Sequence, residues 1–303
     1  MSKSGFSNTA YVDLQRTYAA QPQAQVFKNR QLDPTMDPKG LTFRECRDSD
    51  VLKNSFPIII GLDETGSMGS IPENLIKNKL GKLMNILIDN GVSDAEICFL
   101  GIGDHYTDES PLQVGQFETD TDALDKCLTS IHLEGHGGGN GGESYGLAWL
   151  FGARHTSTDS FEKRSIKGFI FTIGDEWVHQ TIEAPFLKDY MGYKEATDVS
   201  IVDLLEEAKK TYNVFHIHCN DGSYTSSVSD KWKGLLKENL IIVDDSDTIA
   251  EVIASTVAVI NGADMKTLLA SFDSKTASSV SQALATINKT GITKYAETGV
   301  ISL

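Results

Sequence analysis

No stretch of this sequence stays apolar for the roughly 20 residues that a helix needs to cross a bilayer. The opening residues, MSKSGFSNTAYVDLQ, hold no apolar block of the kind a secretory leader requires. The expectation is a soluble protein that stays where it is made, in the cytoplasm. Base is also in short supply: 27 Lys and Arg stand against 42 Asp and Glu, a net charge of -15. That deficit speaks against a nucleic-acid surface, which must neutralise phosphates with clustered base, and against docking on an anionic membrane. An acidic balance suits cation binding as well as plain solubility. Zinc-type cysteine pairs are missing too. Cys46, Cys98, Cys127 and Cys219 are too far apart for a CxxC motif. Cys98 falls in an apolar strand and Cys127 in a helical stretch, so both read as buried thiols, which suits a reducing compartment. No internal repeat is visible.

Enough apolar residues are present, 40% of 303, to bury a large core. Residues 1–55 are polar and weakly patterned, and read as an arm that wraps the core or meets a neighbour. From Phe56 the pattern changes. PIIIGLD is a short, β-branched apolar run, which suits a strand buried on both faces. A helical stretch follows, with Leu75, Leu80, Leu83, Met84, Leu87 and Ile88 on one face and Gly91 as its stop. EICFLGIGD is a second buried strand, and PLQVGQFE is expected to return antiparallel at the edge. TDALDKCLTSIHLEG reads as a helix capped by Thr121 or Asp122. After the Gly-rich GHGGGNGG come a helix over ESYGLAWLFGAR, a third core strand in KGFIFTIGDE, a helix in VSIVDLLEEAKKTY and strands in NVFHIHC and LIIVDD. A final helix is stopped by Gly262. Strands alternating with helices predict a doubly wound α/β domain over 56–262. Its sheet is expected to have about six strands, mostly parallel, with one antiparallel edge strand and helices on both faces. Residues 263–303 read as a C-terminal extension with one helix carrying Val280, Leu284 and Ile287.

In such a fold ligands sit outside the carboxyl ends of the strands, where the strand order switches. Three loops at that edge carry oxygen donors. Asp63, Thr65 and Ser67 follow the first strand, Asn140 and Glu143 lie in the Gly-rich loop, and Asp175 follows the third core strand. Asp104, at the end of the neighbouring strand, faces the same edge. Hard divalent ions such as Mg2+ prefer oxygen ligands and retain water, and Gly66 lets the first turn close. Any one of these residues is ordinary, since Thr65 or Ser67 could simply cap the next helix. The information lies in their combination.

The run D-E-T-G-S-M at 63–68 resembles the D-x-S/T-x-S signature of the metal-ion-dependent adhesion site of von Willebrand factor A (vWA) domains. The likeness spans roughly 56–262. It is strongest to the subset fused to alpha-kinases, through Asp104-His105, the loop from Gly137 to Asn140, and Asp175; no kinase sequence is present. The resemblance implies a non-enzymatic binding module. Its bound Mg2+ (Ca2+ and Mn2+ being the other candidates) would accept an Asp or Glu from a protein partner. It places Thr65 and Ser67 directly on the metal, with Asp63 and Asp175 acting through water. The family's third direct ligand is a Thr in the Gly-rich loop. Here Asn140 is the nearest oxygen donor, with Glu143 or Asp104 as substitutes that would drain the ion's positive charge and favour a structural role. In several family members partner binding is coupled to a shift of the last helix, here residues 246–261.

Four other readings compete. A haloacid-dehalogenase-like phosphohydrolase would use Asp63 as nucleophile, but needs an Asp where Thr65 stands. GHGGGNGGES lacks the Lys-Ser/Thr of a phosphate-binding loop. His105, His136, His179 and His218 fall near the same edge, with His216-x-His218 on one strand face, and imidazole suits Zn2+ or Ni2+. Finally, the chain could be a structural subunit that assembles through its terminal arms, with a stabilising metal. Trp149 reads as core, and Trp177 as core or as an apolar rim to the metal edge.

Overall fold

The computed structural model describes residues 5–66, 68–135, 139–220, 226–285 and 287. Ser67, His136, Gly137 and the segment 288–303 lie outside the described residues. Ten strands are described: β1 Arg44–Cys46, β2 Phe56–Asp63, β3 Ala95–Ile102, β4 Leu112–Val114, β5 Thr156–Thr158, β6 Gly168–Gly174, β7 Thr181–Ile182, β8 Val199–Ser200, β9 Tyr212–Cys219 and β10 Leu240–Val243. The helices before the Gly-rich loop are α1 Asn8–Tyr18, α2 Gln23–Val26, α3 Ser70–Asn74, α4 Leu80–Asp89 and α5 Thr121–Thr129. Those after it are α6 Gly146–Arg154, α7 Asp159–Arg164, α8 Ala184–Asp189, α9 Ile201–Ala208, α10 Ser226–Leu236, α11 Ile249–Ile260, α12 Met265–Ala270 and α13 Ser274–Ala283.

Six strands form the main sheet in the order β10-β9-β6-β2-β3-β4, all parallel except β4, which pairs antiparallel with β3. This is the doubly wound arrangement expected from the alternation of strands and helices. Every residue of β2, β3, β6 and β9 is buried, which is why these strands read as continuous apolar runs rather than alternating ones. Ile58, Ile60 and Leu62 belong to one face of the sheet, with the stacked rings of Phe169, Phe171 and Phe215. That layer packs on α4, α11 and α13. Ile59, Cys98, Leu100 and Ile170 belong to the other, under α6, α9 and α10. From β2 the chain steps outward to β3, whereas from β6 it steps the opposite way to β9. The crevice between the carboxyl ends of β2 and β6 is therefore the switch point.

Some details differ from the sequence reading. The helical stretch after β2 is interrupted by a π turn over Leu75–Lys79. Its wider winding rotates the following residues, and Ile88, expected on the apolar face, is 38% exposed while Leu80, Leu83, Met84 and Leu87 are buried. The cap of α5 is Asp120, one residue earlier than expected, whose carboxylate accepts from the N–H groups of Asp122 and Ala123. The segment ahead of β2 packs on the core. Tyr11 of α1 is buried against Gly81 of α4, where a Cβ would stand 2.5 Å from the ring. β1 pairs in parallel with β5 as a separate two-stranded sheet. Beyond α11, Val280, Leu284 and Ile287 are buried against the same face. None of the described helices is long and apolar enough to cross a membrane.

Candidate metal centre

The eight buried residues of β2 end on an aspartate, Asp63, at the carboxyl edge of the sheet. Asp63 is only 2% exposed. Its Oδ1 accepts from the Thr65 N–H at 2.9 Å and from the Thr65 hydroxyl, which closes a tight Asx-type turn. Its Oδ2 accepts from the Tyr145 hydroxyl at 2.6 Å. Tyr145 immediately precedes α6, and the close packing there requires glycine at the end of β6. A Cβ on Gly174 would lie 1.9 Å from the Tyr145 hydroxyl oxygen and 2.7 Å from Asp63 Oδ2. Asp175, also buried, comes next, close enough for its charge to act on Asp63. Burial pushes the Asp63 carboxyl up to about 6 against the pull of its bonds to Thr65 and Tyr145, and the charge of Asp175 adds to the rise.

Glu143 closes the other side. It is 3% exposed, its backbone bridges to the segment after β6, and its Oε2 has no hydrogen-bond partner. Burial, followed by the charges of Asp63 and Asp104, pushes its carboxyl up to about 10. Asn140 turns outward. It sits between Gly139 and Gly141, both in the left-handed region at φ 63° and 74°, and is exposed. Its Oδ1 accepts from the Gly142 N–H, and its Nδ2 donates to Asp104 Oδ2 at 2.5 Å.

Asp104 anchors an adjoining cluster. Burial would raise its carboxyl, but His179 Nε2 at 2.9 Å, the Tyr106 N–H and the Asn140 amide outweigh that and hold it down at about 2. His105 lies beside it, with Nδ1 2.6 Å from the Ser144 hydroxyl and Nε2 2.8 Å from Glu183 Oε2. Burial lowers the His105 pKa. One donor atom each from Asp104, His105 and His179 lie within 4.8 Å of one another. Of the other histidines, His216 and His218 are buried on β9, where His216 stacks on Trp232 at 3.8 Å between ring centres. Trp149 is buried in the core, and Trp177 packs edge-on against Trp232.

Thus Asp63, Thr65, Glu143 and Asp175 meet at the switch point, while Asn140 and Asp104 form a neighbouring group with His179. Asp63 accepts from two hydroxyls and an N–H, none of them cationic. Buried carboxylates, a hydroxyl and an unpartnered Glu143 oxygen suit a hard divalent cation better than a soft one. Tyr145 escaped the sequence reading. Its position just after the Gly-rich loop is a faint cue, and its partner is 82 residues away.

Fold and site together define a doubly wound α/β domain with an acidic, oxygen-rich switch point. No family model matches the sequence, and no curated protein matches it. Among solved structures, proximal thread matrix protein 1 from the mussel byssus aligns at 10% identity and a TM-score of 0.45, covering 71% of this chain and 49% of that one. The same protein with a zinc occupied MIDAS motif aligns at 11% identity and 0.40, covering 68% and 46%. The pilus adhesin SpaC from Lactobacillus rhamnosus GG, in its open conformation, aligns at 11% identity and 0.43, covering 74% and 31%. The chain spans about half the length of the first protein and about a third of the adhesin.

Proposed function

We propose that this chain is a non-enzymatic, vWA-type binding module in which a divalent cation at the switch point accepts a carboxylate from a protein partner. The observation that carries the reading is the convergence of Asp63, Thr65 and Asp175 from two separate strand ends on the crevice between β2 and β6. Thr65, with Ser67 from the same motif, would hold the ion directly. Asp63, fixed by Tyr145, and Asp175 would balance its charge through water. When bound, the cation supplies an electron-poor point that an Asp or Glu side chain can occupy in place of water. Mg2+ is the proposed ion because the donors are oxygens, with Ca2+ or Mn2+ as substitutes.

Glu143 supports a second reading. Its buried carboxylate lies close enough to feel the charge of Asp63, and if it takes a place on the ion the site becomes saturated by its own acids. The metal would then brace the fold of a structural subunit instead of gripping a partner. Glu143→Gln separates the two. The adhesive reading expects Mn2+ affinity within about threefold of the wild type, whereas loss of a charged ligand would lower it by more than about tenfold. The adhesive reading itself is tested by partner capture from the native source in Mg2+ and in EDTA, with wild type beside Thr65→Ala. Proteins retained only by the wild type and only in Mg2+ are expected; equal recovery of every protein in all four conditions contradicts it.

A further inference from the structure

The turn after β2 sends Glu64 away from its neighbours Asp63 and Thr65, towards β3. The Glu64 side chain is 1% exposed and lies over the backbone of Gly101 and Gly103. A Cβ on Gly101 would stand 2.7 Å from Glu64 Oε2. A Cβ on Gly103 would stand 3.0 Å from Glu64 Oε1 and 2.5 Å from Asp108 Oδ2, so the two carboxylates are no further apart than those two distances laid end to end. Glu134 is clamped beside them, accepting from the N–H groups of Ser110 at 2.6 Å and Glu109 at 3.2 Å, the two residues that follow Asp108. Without a Cβ at Gly101 and Gly103, the Glu64 and Asp108 carboxylates pack directly against the backbone there, with Glu134 held beside them.

Glu64 accepts from the Gln113 amide, Asp108 from the Thr107 hydroxyl and the Asp104 N–H, and Glu134 from the two N–H groups. None of these donors carries a positive charge. Gln113 is itself committed, since the same Nε2 also donates to the His132 carbonyl at 2.8 Å and its Oε1 accepts from the His132 N–H. Glu64 Oε1 is left buried with no hydrogen-bond partner, on the side where Asp108 stands. A buried carboxylate oxygen in that position needs either a proton or a cation.

We propose that Glu64, Asp108 and Glu134 form a second cation site, next to the switch point but built from different side chains, that takes a hard divalent ion of the Ca2+ class. Carboxylate oxygens without imidazole or thiol select for such ions. Asp108 and Glu134 stand on turns rather than on strands, and Ca2+ tolerates the irregular, oxygen-rich shell that turns provide where Mg2+ demands a near-octahedral one. The site goes beyond the partner-binding reading and does not depend on it. The two would share one structural element, the turn at residues 63–65, so filling either ion position stiffens the support of the other.

The test counts Ca2+ ions bound to the full chain by equilibrium dialysis. It compares wild type, Glu134→Gln, the double variant Asp108→Asn plus Glu134→Gln, and Thr65→Ala. Asp108 and Glu134 are only half-buried, so melting in EDTA serves to verify that these variants fold. Two ions are expected on the wild type. One of them should be weakened about tenfold or more in the double variant and less in Glu134→Gln, while persisting in Thr65→Ala. The proposal is overturned if the double variant binds Ca2+ as the wild type does, if Thr65→Ala alone abolishes all Ca2+ binding, or if the wild type binds none. Loss in the double variant with no effect of Thr65→Ala would instead sink the switch-point ion and leave this site standing.

Discussion

Asp63 is held at both oxygens, by Thr65 on one and Tyr145 on the other. Tyr145→Phe removes one buried donor without changing the volume much. It should weaken Mn2+ binding by about 10-fold or more, in line with other residues that orient a metal's ligands, and a Mn2+ titration followed by electron paramagnetic resonance checks this. Glu143 makes a pH prediction. Its carboxyl, pushed up to about 10 by burial and the neighbouring acids, keeps a proton in the folded chain that the unfolded chain releases near its ordinary value of 4.5. The folded state therefore binds more protons across that window, and stability falls as pH rises through it. Lowered histidines, such as His216, act in the opposite sense only below about pH 6.5. In EDTA, melting temperature should drop between pH 7 and pH 9 in the wild type and drop less in Glu143→Gln. Equal slopes would contradict the assignment.

At the scale of elements, the core strands were legible because continuous β-branched runs are what a parallel sheet buried on both faces requires. That Asp63, Asp104 and Asp175 share one edge was legible because acids placed at the ends of parallel runs must emerge together. The path of the chain through each loop was not. Whether Asn140 or Glu143 turns inward depends on two left-handed glycines, whose effect on side-chain direction no spacing rule supplies. The π turn was hidden for a similar reason, since Leu75, Leu80 and Leu83 satisfy helical spacing either way. The contact of α1 with α4 rests on tertiary fit alone: Tyr11 lies against Gly81, seventy residues on. Gly81→Ala gains helix propensity of about 1 kcal/mol yet pushes a methyl into the ring, so α1 should loosen. Limited proteolysis should cleave within residues 8–18 faster in Gly81→Ala than in wild type; unchanged cleavage would show that Tyr11 yields without releasing the helix. Lys79 and Lys82 reach from the same helical stretch to the buried Glu251 of α11. Lys79→Met, which leaves that carboxylate with only the more distant Lys82, should cost about 2 kcal/mol in urea unfolding, below the roughly 3–5 kcal/mol of a fully orphaned buried charge.

For the whole molecule, charge decides how a partner arrives. A net charge of -15 repels any acidic protein at long range, while the proposed contact is a carboxylate on a cation. On the proposed reading, attraction would come from the ion while the net charge opposes an acidic partner. Once a partner is in hand, its association rate should rise as salt screens the repulsion between about 50 and 300 mM, and binding should still vanish in EDTA. An association rate that falls with salt would mean that some other, basic surface guides the encounter.

The most direct test of the account is the anomalous scattering of Mn2+ in a crystal of the full chain. A strong peak is expected between the Thr65 hydroxyl and the carboxylates of Asp63 and Asp175, with at least one position on the ion held by water. The absence of a peak there, or an ion enclosed on every side by the protein's own acids with Glu143 filling the last position, would contradict it.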